Sequence, residues 1–484
     1  MRKLLLALLL CTPVQAQEHL GAIVFPNSGK AEAQTAFLRG MFLLHNFAYP
    51  QAQRAFAEAE KIDPKFTLAY WGEAMTYNHP IWNQVDLEAG RRILQELQPL
   101  KASATPSPAA SRHPLPQAGE GSRDPSPRDS GERVVLSAAK DRVRGARERG
   151  YIEALEALYG EGDKTTRDHA YENAMRRLAN ANPDDVEAQV CWALSILGSR
   201  EWHQLDERRS IRAAAILEQL FPKHSDHPGV LHYLIHAYDD PVHAPLGLRA
   251  ARLYAKVASS APHALHMPSH IFLQLGMWDD AARSNEQAFA LSKQWNEPDL
   301  HSLSWLQYVY LQQHRFADAR RLLDEINSSD HHAHAVLETM QVRYAAETGE
   351  WRAFDFTDPV GKALRAIAEK RFDDAQRSID EASSKKSDDR YGVTQPEPDE
   401  LRALLAAARG EMTKALNYAE AAIKAEEKLG VPSGPPDDFK PANELYGELL
   451  LKAGRRKEAE EQFQASLLRT PNRAASVAGA QRAQ

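Results

Sequence analysis

Ala36-Phe37-Leu38-Arg39-Gly40-Met41-Phe42-Leu43, followed by Ala52-Gln53-Arg54-Ala55-Phe56-Ala57-Glu58-Ala59 and then Pro64, is the stretch that decides the fold. Ala36, Gly40 and Leu43 fall on one face of a prospective helix, and Ala52, Phe56 and Ala59 on one face of a second. Small residues at 40 and 52 let the two helices approach closely, the larger Phe56 fills the space beside them, and Pro64 ends the second helix. The same spacing returns at the far end of the chain in Tyr446, Gly447, Leu450, Ala459, Phe463 and Pro471. Between the two ends, further units carry the same marks: Tyr171, Met175 and Pro183; Ala250, Tyr254 and Pro262; Gly276, Ala281 and Ala288; Ala319 and Leu323; Ala375 and Ile379; Gly410, Ala415 and Ala422. An array of antiparallel helix pairs follows from this pattern.

These offsets resemble positions 4, 8, 11, 20, 24, 27 and 32 of the 34-residue tetratricopeptide repeat (TPR) family, over nearly the whole chain. The resemblance implies an all-α, right-handed superhelix (α-solenoid) of roughly nine to ten helix pairs, whose first helices line a concave groove. It also implies a non-catalytic scaffold that holds a peptide or protein partner in that groove. The organisation expected is a signal peptide at 1–16, N-terminal repeats at 17–100, an insertion at 101–135 and a repeat array at 136–484. The insertion mixes Pro106, Pro108, Pro114, Pro116, Pro125 and Pro127 with Ser, Gly, Arg and Asp, cannot bury enough apolar surface to order itself, and resembles translated interspersed repeat DNA of GC-rich bacterial genomes. Val431 to Pro441 reads as a shorter connection between repeats.

Met1-Arg2-Lys3, the apolar run from Leu4 to Cys11 and Val14-Gln15-Ala16 read as a cleavable secretory signal, so export to a bacterial periplasm is expected. Leu8-Leu9-Leu10 lacks the small residue that precedes a lipid-modified cysteine. Without Cys11, Cys191 is left alone, so stability must come from an apolar core and not from disulfides. A net charge of −7 offers no global attraction to nucleic acid, and no later run is apolar for long enough to cross a bilayer. The sequence leaves oligomeric state open.

Chemistry concentrates in six histidines between 232 and 270: His232, His236, His243, His263, His266 and His270. His232 and His236 are four apart, as are His266 and His270, so each pair shows two imidazoles on one helix face. The second pair lies 34 residues after the first, at matching positions of consecutive repeats, on or beside the groove-lining face. His301 falls near the same position of the next repeat and Trp305 four residues on, while Asp239 and Asp240 lie one turn past His236. Two histidines at i and i+4 plus a third nitrogen or oxygen ligand suit zinc or copper. On that reading His232, His236, His266 and His270 are ligands, with Asp239 or His263 in support. Two other readings stay open: imidazoles that only hydrogen-bond within the array, and imidazoles that touch an organic or peptide ligand. The block from Leu231 to Asp240-Pro241 and on through Pro262-His263 to His270 also resembles a signature of exported bacterial TPR proteins.

The metalloprotease reading fails because His232-Tyr233-Leu234-Ile235-His236 has Tyr where the catalytic Glu belongs. The chain carries no nucleophile elbow, phosphate loop or dinucleotide fingerprint. Cys191 stands in apolar helical surroundings and reads as core. His45 and His79, 34 apart near the ends of first helices, suggest a second polar patch on the groove or local bonding at the helix end. His331-His332-Ala333-His334 reads as a solvated loop leading into a helix. Three functions emerge: a peptide-binding groove, with exposed polar and aromatic residues; a metal carrier or hydrolase, with at least three of the named side chains converging; and a structural part of an envelope complex.

Overall fold

Phe56 explains why this sequence makes a helical array. Its ring is fully buried between Gly40 and Gly72, and a Cβ at either glycine would stand 2.6 or 2.4 Å from it. Phe463 sits in the same way between Gly447 and Gly479, with contacts of 3.0 and 2.3 Å. Each large ring thus needs a missing side chain in its own repeat and in the next, which couples neighbouring repeats.

In the computed structural model, residues 18–104, 144–199, 207–327, 331–384, 397–436 and 439–484 are described. Their elements are α1 (Gln34–His45), α2 (Tyr49–Ile62), α3 (Thr67–Met75), α4 (Leu87–Ala104), α5 (144–158), α6 (Lys164–Ala181), α7 (Val186–Gly198), α8 (Glu207–Leu220), α9 (Pro228–Ala237), α10 (Ala244–Val257), α11 (Pro262–His266) and α12 (Pro268–Gln274). There follow α13 (Trp278–Gln294), α14 (Leu300–Gln312), α15 (Phe316–Leu323), α16 (His331–Thr348), α17 (Pro359–Ala368), α18 (Phe372–Ser384), α19 (Glu397–Ala408), α20 (Met412–Lys428), α21 (Ala442–Lys452), α22 (Arg456–Arg469) and α23 (Ala474–Ala483). Beside them, Asn78–His79 and Gln84–Val85 form one short antiparallel ribbon. The chain is an all-α helical solenoid, and no helix among the described residues is long and apolar enough to cross a membrane.

The first helix of many repeats ends in the same way. Ala48, Met277, Arg315, Arg371, Glu411 and Arg455 each return their N–H to a carbonyl five residues back. The residue just before each of them has a positive φ: Phe47, Gly276, His314, Lys370, Gly410 and Gly454. This turn satisfies the orphan carbonyls of the helix end and favours glycine. Phe47 adopts it with φ 52 at a cost of about 1–2 kcal/mol.

The array also closes on itself. Trp278 Nε1 donates to Asn472 O at 3.0 Å, and Arg473 is buried between Glu444 at 2.8 Å and Glu347 at 2.7 Å. At the other end, Ala22 N–H donates to Asp226 O at 2.9 Å and His19 N–H to Ser260 Oγ at 2.9 Å.

Several expectations change here. Helix α4 runs to Ala104, so it overlaps the first residues of the expected insertion; the signal segment and the rest of the insertion lie outside the described residues. His331 to His334 belong to α16 and not to a loop, with His334 Nε2 3.1 Å from Thr357 Oγ1. Cys191 is buried.

Candidate functional site

Helix α9 is held at its start by His227, whose Nδ1 accepts the N–H of Val230 at 3.3 Å. One turn on, the helix presents His232, and one further turn on, His236. The equivalent pair in the next repeat spans a break: α11 ends at His266 and α12 begins at Pro268. Met267 between them keeps helical angles, so His266 and His270 still share a face. Asp299 caps α14 by accepting from the N–H groups of His301 and Ser302, which sets His301 at the mouth of that helix.

The imidazoles gather into two trios. In the first, His232 Nε2 lies 3.1 Å from His236 Nε2 and 3.1 Å from His263 Nε2. In the second, His266 Nε2 lies 3.1 Å from His270 Nε2, and His301 completes a group whose ligand atoms all lie within 4.8 Å of one another. The four residues expected as a single ligand set are therefore divided between two groups. His263 joins a trio directly, and His301 supplies the third nitrogen of the other. Asp239 acts one step out, with Oδ2 2.6 Å from His270 Nδ1 and Oδ1 3.2 Å from Gln274 Nε2. Asp240 turns away to bond His243 Nδ1 at 2.8 Å.

The partners on the far side of the rings decide where the protons lie. His232 Nδ1 is 2.6 Å from the carbonyl of His45, at the C-terminus of α1, where helix carbonyls lack internal donors. His270 Nδ1 faces a carboxylate. His266 Nδ1 is 2.6 Å from Asn285 Oδ1, and the Asn285 amide nitrogen is already engaged with Ala281 O at 3.0 Å. All three partners are acceptors, so each Nδ1 carries a proton, and His232 and His266, when neutral, turn the Nε2 lone pair inward. Burial pushes His232 down to about 3, and it holds His263 and His266 well below the ordinary imidazole range. Surrounding protein likewise pushes His301 down to about 4, although one edge of that residue remains exposed to solvent.

The trios do not line an open groove. His232 and His266 are fully buried, while Trp305 is 6 % exposed and packs against His270, tilted by 37° at 4.3 Å between centroids. Phe47, on its strained turn, covers the first trio, 4.3 Å from His232 and 5.5 Å from His263; Trp82 lies 5.9 Å from His263. Residues 431–436, the start of the 431–441 connection, reach the second trio: Pro432 O accepts from Gln274 Nε2 at 2.7 Å, and a Cβ on Gly434 would stand 2.8 Å from the Trp305 ring. That segment is a cover over the site as well as a link between repeats. Closure of the solenoid brings it there, which repeat spacing does not encode.

A third group, His45, Glu187 and His227, has a similar make-up. His45 Nε2 and His227 Nε2 each lie 2.8 Å from one oxygen of Glu187, deep in the core. Burial pushes the Glu187 carboxyl up, but His45 and His227 more than reverse this and hold it below the ordinary carboxylate range. His45 is thus a core residue and not a groove patch, and His79 stacks on Tyr49 at 3.9 Å. Sequence reading missed Glu187, Asn285 and Phe47. Only Phe47 left a trace, as a bulky residue where other repeats place glycine.

No protein-family model matches the chain, and no curated protein does. Among solved structures it is similar to Ypp1 (10% identity, TM-score 0.43, 93% of this chain and 85% of that one) and to yeast Tom70 (12%, 0.32, 93% and 88%). It is also similar to the TPR domain of P58(IPK), with 13% identity and a TM-score of 0.23 over 94% of this chain and 98% of that one. Likeness at this level is confined to helical-repeat architecture.

Proposed function

We propose that the protein binds transition-metal ions, one at His232, His236 and His263 and one at His266, His270 and His301. The observation that carries this is the pair His266 Nε2 and His270 Nε2, 3.1 Å apart, both with the proton on the opposite nitrogen. With both rings neutral, two lone pairs at that distance repel unless a cation lies between them. Metal–nitrogen bonds of 2.0–2.1 Å at tetrahedral angles give nitrogen separations of about 3.3 Å. An all-imidazole set suits zinc or copper and disfavours magnesium, calcium and manganese. Three ligands leave a fourth position open, as in catalytic rather than structural sites. Asp239 and Asn285 supply the outer hydrogen bonds that orient metal-ligating histidines, and the exposed edge of His301 gives an ion a way in.

A protein-binding role for the repeat scaffold stands beside this reading and does not use the same buried residues. Export to a periplasm, from residues 1–16, is likewise proposed.

The test is elemental analysis of purified protein before and after incubation with zinc or copper, alongside the variant His266→Ala/His270→Ala. The expected result is up to two ions per chain, reduced by one in the variant. Wild-type protein that stays free of both metals after incubation overturns the reading.

A further inference from the structure

We infer that the two trios form one dinuclear copper centre, in which a small bridging ligand spans the two open positions. This rests on the metal-binding reading and goes beyond it, because two sites on a repeat array can equally be independent.

The pairing follows from how the repeats interlock. Each trio takes two imidazoles from one repeat and the third from the start of the next: His263 completes the α9 pair, and His301 completes the pair on α11 and α12. His263 and His266 lie three residues apart on α11, so one short helix serves both trios. The trios touch across this seam, with His236 and His270 rings 5.9 Å apart and His263 and His266 rings 6.0 Å apart. Metal–nitrogen bonds of 2.0–2.1 Å then place the two ions roughly 4–8 Å from each other. In the third repeat, Trp305 occupies the place of a second histidine and packs against His270, which ends the series at two.

Charge selects the occupant. As metal ligands the six imidazoles are neutral, and the nearby carboxylates stand outside the set: Asp239 bonds the outer nitrogen of His270, and Asp299 caps α14 beside His301. Two bare dications this close in a dry, neutral shell repel strongly. Copper relieves the repulsion in either oxidation state: two cuprous ions repel four times less, and three neutral nitrogens satisfy cuprous copper. Two cupric ions at this separation require an anion between them with a donor atom at each end, such as azide. Copper also heads the affinity order for nitrogen sites.

The experiment is to load metal-free wild-type protein with two equivalents of Cu(II), remove unbound metal, and compare copper content with the spin count from electron paramagnetic resonance. Two bound coppers with a spin count several-fold below two, or with a dipolar-split half-field signal, is the expected result. In His263→Ala and His301→Ala, which alter the least buried ligands, one copper and about one full spin are expected, with circular dichroism reporting that the helices persist. Two coppers with two full, unsplit spins in wild type would overturn the pairing and leave metal binding intact. No bound copper would overturn the copper centre, and would overturn metal binding as well if the protein also takes up no zinc; the wild-type comparison decides even if the variants do not fold.

Discussion

His45–Glu187–His227 and His266–His270–His301 are built from similar side chains, the first wholly buried and the second open at His301, and what stands behind their rings differs. In the first, Val230 N–H occupies His227 Nδ1, so the Nε2 proton faces inward and meets a carboxylate oxygen. In the second, Asp239 and Asn285 hold protons on the outer nitrogens, which leaves the inner nitrogens of the neutral rings as lone-pair donors. One cluster is a completed hydrogen-bond network; the other lacks a positive charge at its centre. Ligand type and distance do not separate a core network from a metal site here. The acceptors behind the rings do.

The largest effect should come from breaking the completed cluster. Glu187→Ala removes the acceptor for two buried N–H groups and should cost about 3–5 kcal/mol in denaturant unfolding of the metal-free protein. His266→Ala in the same assay should cost less. The reverse order would show that the lone-pair trio, and not the Glu187 network, holds the fold.

Asp239→Asn weakens the acceptor behind His270 without touching a ligand. Affinity for metal at that trio should fall about 10–100-fold in a competition titration, with stoichiometry after saturation unchanged. An unaltered affinity would remove Asp239 from the site.

Acid separates the two clusters by range. His232 titrates near 6.5 when unfolded and at about 3 when folded, so below pH 6.5 the unfolded chain takes up a proton that the buried ring refuses. Stability of the metal-free protein is complete above pH 6.5 and should fall by about 2 kcal/mol at pH 5 from this residue alone. Glu187, whose folded value lies below 4.5, supports the fold above that pH and loses its contribution only on further acidification. Unfolding curves flat from pH 7 to 5 would contradict buried neutral imidazoles.

The smallest effect concerns the cover. Gly434→Ala places a methyl group 2.8 Å from the Trp305 ring and should cost about 1 kcal/mol, with faster metal release to a chelator as the 431–436 segment lifts. Unchanged release would show that this segment does not shield the second trio.

The helix pairs and the paired histidines were legible in the chain, because both are local periodicities. Gly40 and Phe56 announce a close helix contact sixteen residues apart, and His232/His236 and His266/His270 share helix faces for the reason that any residues four apart do. Only the tertiary structure decided which imidazoles are third ligands, which nitrogens carry protons, and that the site is covered. The His45 carbonyl lies 187 residues from the His232 ring it orients, and Pro432 lies 158 residues from Gln274. Such contacts depend on how far each repeat rotates on the last until the array closes, and that is a sum of many small packing angles with no period of its own in the chain.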